Sequence, residues 1–238
     1  MRKVFLIDYE LSMKFLSPVV LFTIFSSLGS TSAFAVSGNW NVNANGNWST
    51  ATNWTSNPVV PGTTAGDVIG LTFNITATRT VTINGPTSRI GGILNIGDTN
   101  ATNSYVLTNS GGATFTFNNS GTSQLNQVST SSTNTISAPL IVADNLTISN
   151  LSANTLTISG TIGSSTAGTK TITNNGSGTG GVTVSGVISN ATGTVALAQT
   201  SSTSTLTLSV ANTYSGGTTL TSGVLLVGNN SALGTSTV

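Results

Sequence analysis

A short phrase, aliphatic-Thr-aliphatic-Ser, recurs through the second half of this chain as Leu146–Ser149, Leu156–Ser159, Val182–Ser185 and Leu206–Ser209. The copies start 10, 26 and 24 residues apart. Alternation at a period of two places both aliphatic residues on one face of a strand and the hydroxyls on the other. Runs of the same kind are predicted as short strands at Asn74–Thr76, Thr80–Ile83, Gly92–Ile96, Tyr105–Leu107, Ala113–Phe117, Leu140–Val142, Thr171–Thr173 and Val224–Val227. Between them lie Gly, Asn, Ser and Asp, the turn formers. No helical spacing competes with this pattern.

So many short strands have two architectural solutions. In a right-handed parallel β-helix each coil contributes two or three strands, and the inward aliphatics of successive coils stack into columns. An antiparallel β-sandwich also uses short strands and frequent turns. Spacing alone leaves both open, and the repeated phrase favours the all-β parallel β-helix. In that fold outward Thr and Ser form hydroxyl ladders. Asn150, Asn154, Asn174, Asn175, Asn229 and Asn230 would then stand at corners, in left-handed conformations or with stacked amides.

Charge narrows the function classes. Charged residues make up 5% of the chain, against about 25% in an ordinary globular domain. From residue 36 onward there are three basic groups (Arg79, Arg89, Lys170) and three acidic ones (Asp67, Asp98, Asp144), so the net charge there is 3 − 3 = 0. Nucleic acid is excluded as a partner, because neutralising phosphates takes a stripe of Lys or Arg. The chain has no Cys and no His. That removes disulfides, thiolate metal sites and any Ser-His-Asp triad. Glycosidase chemistry needs two carboxyl groups about 5 to 9 Å apart, whereas the three Asp are 31 and 46 residues apart, each beside turn residues. Asp in such places bonds the local backbone. Gly91-Gly92 and Gly180-Gly181 lack the following Asp that a calcium-binding nonapeptide requires. No catalytic residue, metal or cofactor is expected. The many Asn-x-Ser/Thr sequons follow from the abundance of these residues.

The N-terminus reads as an export signal over residues 1–35. Lys14 precedes an apolar run from Phe15 to Leu28, and Ala33-Phe34-Ala35 is a small-x-small cleavage site, so cleavage is expected after Ala35. A membrane-spanning helix needs about 20 apolar residues, and this run is broken by Pro18, Thr23, Ser26 and Ser27. Asp8 and Glu10 suit a signal poorly, which points to Met13 as the true start.

Trp40, Trp48 and Trp54 are all the tryptophans of the chain, and they fall in one segment, residues 36–75. Its W…NWS…NW…P…GD…F order resembles the opening block of autotransporter-like surface proteins. A first coil exposes an apolar end and a free edge, which large rings can plug. The segment is therefore expected to cap a β-helical region spanning 76–238. A sugar platform built on the same rings is the functional alternative.

The last stretch, Asn212-Thr-Tyr-Ser-Gly-Gly-Thr-Thr-Leu-Thr-Ser-Gly-Val-Leu-Leu-Val-Gly-Asn-Asn-Ser-Ala-Leu-Gly234, closely resembles the passenger-associated strand repeat of bacterial autotransporters, over about residues 205–234. Asn212, Tyr214, Gly216, Gly217, Gly223, Val227, Gly228, Ala232, Leu233 and Gly234 match the repeat. Val224-Leu225-Leu226 departs from its usual alternation and leaves the register of that strand open. The resemblance implies a Gram-negative bacterium and an exported, non-catalytic passenger or stalk at the cell surface, in the outer membrane or secreted. Adhesion or surface structure is the implied role, with host-surface or glycan ligands, or self-association. The alternative is a carbohydrate-binding or carbohydrate-active β-helix protein. No barrel strands follow residue 238, so the chain is expected to be a C-terminally truncated fragment or a released passenger. It would touch the membrane only through its signal or a missing C-terminal translocator, and its last coil would present an edge prone to association.

Overall fold

The computed structural model describes residues 35–236. These belong to one compact unit, while residues 1–34, which carry most of the export signal including Ala33, lie outside the described residues, as do Thr237 and Val238.

Among the described residues, parallel strands form three sheets that wind into a β-helix. The first sheet stacks β1 (Gly38–Asn39), β3 (Val68–Leu71), β6 (Ile93–Ile96), β9 (Thr122–Gln127), β12 (Asn145–Asn150), β15 (Thr169–Asn174), β17 (Thr194–Gln199) and β19 (Thr218–Leu220). The second stacks β2 (Gly46–Asn47), β4 (Arg79–Ile83), β7 (Tyr105–Asn109), β10 (Asn134–Ile136), β13 (Leu156–Ile158), β16 (Val182–Val184), β18 (Leu206–Leu208) and β20 (Leu225–Val227). The third holds β5 (Arg89–Gly91), β8 (Phe115–Phe117), β11 (Leu140–Val142) and β14 (Ile162–Ser164). The chain visits the sheets in turn, so each coil rests on the one before. An antiparallel sandwich is thereby ruled out.

Register explains the repeated phrase. In the second sheet Val81, Leu107, Ile136, Ile158, Val184, Leu208 and Val227 stand in one column pointing inward. The phrases at Val182 and Leu206 occupy this sheet on successive coils, so their intervals of 26 and 24 residues are coil lengths. The interval of 10 is the step from β12 to β13 within one coil. Leu225 pairs with Leu206 and Val227 with Leu208, which settles the strand register that Val224-Leu225-Leu226 left open.

The corner between the first and second sheets is filled by buried amides. Gln127 Nε2 donates to Asn150 Oδ1 at 3.1 Å, and Asn134 Nδ2 donates to Gln127 Oε1 at 2.9 Å. Two coils on, Asn174 Nδ2 donates to Gln199 Oε1 at 2.8 Å. Asn150 and Asn174 therefore serve the corner through their amides. The left-handed conformation expected of corner Asn is taken by none of them, since the non-glycine residues with positive φ among the described residues are Ala101 and Ser120. Asn74–Thr76 is not a strand. Ile75 is nonetheless buried there, and its N–H donates to Asp98.

Candidate functional site

The repeat residues are arranged to tie one coil to the next. Asn212 is buried, and its Oδ1 accepts from Ile188 N–H at 2.8 Å while its Nδ2 donates to Ala232 C=O at 2.7 Å. Tyr214 is fully buried with its hydroxyl 2.5 Å from Thr218 Oγ1, and burial pushes the phenol pKa up. Gly234 has φ +77°, and a Cβ there would press on the Tyr214 ring at 3.1 Å. Gly223 has φ +72° under the preceding coil. Gly216 and Gly228 donate their N–H groups to Val195 and Leu208, and Gly217 turns into β19. Ala232 is buried, Leu233 packs on the core, and Val227 sits in the inward column on β20. Each matched residue thus has a role in the backbone path or the packing.

The three tryptophans sit inside the first coil, at 1%, 0% and 0% exposure for Trp40, Trp48 and Trp54. Trp54 meets Trp40 edge-on at 5.2 Å and Trp48 at 4.8 Å, and Trp48 continues to Phe115 at 5.8 Å. Trp48 Nε1 donates to Pro61 C=O and Trp54 Nε1 to Trp48 C=O. No ring face is open to a sugar, so a stacking platform has no surface at these residues. The same segment covers the free edge of the first sheet. Thr55 N–H donates to Asn39 C=O at 2.9 Å and Asn41 N–H to Asn53 C=O at 3.0 Å, an antiparallel strap across β1 that sequence reasoning had not found.

The charged groups are dispersed. Asp67 accepts from the N–H groups of Val36, Gly62 and Thr63. Asp98 accepts from Ile75, Thr102 and Asn103, and Asp144 from Asn119 and Gly121. Asp67 and Asp98 each close a local turn and also hold one residue of the preceding coil, whereas Asp144, against the expectation of local bonding, is engaged only by the preceding coil, at Asn119 and Gly121. Arg89 is buried beside Gly62, close to Trp48; its Nε has no acceptor among the described residues, and desolvation lowers its pKa.

The outer face of the second sheet is a regular surface of two largely polar columns. One outward column runs Asn45, Thr80, Val106, Thr135, Thr157, Thr183, Thr207 and Leu226. The next runs Asn47, Thr82, Thr108, Ser137, Ser159, Ser185 and Ser209. Rungs lie about 4.8 Å apart, and the two columns are separated by about two residues of strand, roughly 6.6 Å. Neither column contains a charged residue. At its N-terminal end the face dips into a shallow concavity of about 460 Å³ lined by Asn45, Gly46, Asn47, Thr80 and Thr82.

Comparison with family models, with curated proteins and with solved structures found no match in any of the three.

Proposed function

We propose that this chain is an exported, non-catalytic β-helical passenger or stalk of an autotransporter-like bacterial surface protein, serving adhesion or surface structure. The observation that carries this reading is the fit between the repeat and the coil. The motif residues from Asn212 to Gly234 have structural roles of the kind a passenger-associated repeat requires, down to the Asn212–Ala232 clasp between successive coils. The basic, apolar and small-residue order ahead of Ala35 supports export. The three carboxylates, each engaged by backbone N–H groups of its own turn or of the preceding coil, support a structural protein over a hydrolase. The amide-filled corner and stacked aliphatic columns suit a rod that must hold its shape outside the cell without disulfides.

The test is expression of the full chain in a Gram-negative host, with fractionation and N-terminal sequencing. The expected product begins at Val36 and is found outside the cytoplasm. Full-length chain retained in the cytoplasm would overturn the proposal. An Ala35→Arg variant should accumulate unprocessed, since the cleavage site tolerates only small residues there.

A further inference from the structure

We infer that the outer face of the second sheet binds a neutral, extended polysaccharide, with the concavity at Asn45, Asn47, Thr80 and Thr82 as its principal subsite. The inference rests on the surface role proposed above and names the class of ligand.

The concavity offers both kinds of hydrogen-bonding group. Asn45 uses its Oδ1 to accept from Thr80 N–H, which fixes the amide and leaves its Nδ2 pointing away as a donor. The Asn47 amide and the hydroxyls of Thr80 and Thr82 have no hydrogen-bond partner among the described residues. Amides and hydroxyls set a few ångströms apart match vicinal sugar hydroxyls, which donate and accept at once. No Lys, Arg, Asp or Glu lines the concavity or either outward column. The lining offers a carboxylated or sulfated glycan no cation to pair with, so the ligand is neutral.

The shape of the face selects an extended chain. In strand register the residues of the concavity are followed on the next coils by Val106 and Thr108 and then by the hydroxyl columns from Thr135 onward. The Thr135, Thr157, Thr183 and Thr207 hydroxyls likewise have no partner among the described residues. A polymer lying across successive rungs adds weak contacts one after another, so binding strengthens with chain length. The aromatic rings that most often anchor sugars are buried in the first coil. Affinity for one short oligosaccharide is therefore low, and length dependence is the signature.

The experiment titrates purified residues 36–238 by isothermal calorimetry and by chemical-shift perturbation with cellohexaose and chitohexaose, their disaccharides, and polygalacturonate. Saturable binding of at least one neutral hexasaccharide, at least tenfold tighter than its disaccharide, is expected. The double variant Asn47→Ala, Thr82→Val keeps a strand-compatible outer face and should weaken binding about tenfold to a hundredfold with an unchanged circular dichroism spectrum. Thr147→Val, outward on the first sheet, should leave binding unchanged. Silence with both hexasaccharides, binding of polygalacturonate alone, or binding that the double variant leaves intact would each overturn the inference. None of these outcomes bears on processing after Ala35, so the export reading stands or falls separately.

Discussion

Asn212 Nδ2 donates to the carbonyl of Ala232 at 2.7 Å, joining the start of the repeat to its end one coil later. The same side chain accepts from Ile188 N–H on the coil below. One buried amide therefore bonds to both neighbouring coils, and its removal strands a donor and an acceptor at once. Asn212→Ala is expected to cost about 2–4 kcal/mol, at roughly 1–2 kcal/mol for each buried group left unpaired. Urea denaturation of residues 36–238 checks it. Asn212→Asp retains the acceptor toward Ile188 but faces Ala232 C=O with a carboxylate, and should recover stability only as pH falls and the acid protonates.

Trp48 is fully buried between Trp54 and Phe115. Trp48→Ala removes a large side chain from the first coil, with an expected loss of about 3–5 kcal/mol. If the rings formed a sugar platform instead, this variant would keep its melting temperature. In the unmutated protein the tryptophan fluorescence should be blue-shifted and nearly insensitive to iodide quenching.

Tyr105 predicts the behaviour of the protein in alkali. Burial, with the Asp98 charge as a second cause, raises its pKa well above the usual 10.0, although its hydroxyl donates to Phe73 C=O at 2.9 Å. The folded state holds the phenolic proton more tightly than the unfolded chain does. Its contribution to stability is therefore complete below about pH 10 and is lost as pH rises from there toward the folded-state value. Tyr214 shifts in the same direction by burial. The melting temperature should fall steeply above pH 10, less steeply in Tyr105→Phe, and least in the variant carrying Tyr214→Phe as well.

What the sequence disclosed follows the chemistry of the inward positions. Strands of the second sheet were legible because Val182, Val184, Leu206 and Leu208 alternate with hydroxyl residues. Several strands of the first sheet were hidden because their inward residues are polar: Ser123 and Gln127 in β9, Gln199 in β17. Those amides are satisfied partly by nearby groups and partly by a partner one coil away, Asn150 for Gln127 and Asn174 for Gln199, and such a partner is invisible along the chain. The strap at Asn53–Thr55 was hidden for a related reason, and the outward hydroxyl ladders, though expected, could not be assigned residue by residue. They depend on register between coils of unequal length, which spacing does not reveal. The repeat was legible because Gly at fixed offsets marks backbone turns directly.

The two ends of the described β-helix differ in their edges, and this gives a prediction about association. At the first sheet's N-terminal edge the strap at Asn53–Thr55 occupies the ladder positions of β1, which blocks another strand from adding there. Among the described residues the ladders finish on β19 and β20, where Leu220, Leu226 and Val227 are 54%, 51% and 49% exposed. Leu220 and Val227 are in inward register with Gln199 and Leu208 of the coil below, while Leu226 faces outward. Purified residues 36–238 should therefore associate through this end, giving concentration-dependent mass in sedimentation velocity. Leu226→Lys places a charge on the edge without entering the core, and should shift the population toward monomer while the melting temperature stays within about 1 °C, as a surface substitution does. Association that survives Leu226→Lys and instead responds to substitutions in the strap would locate the sticky end at the other pole and refute the assignment.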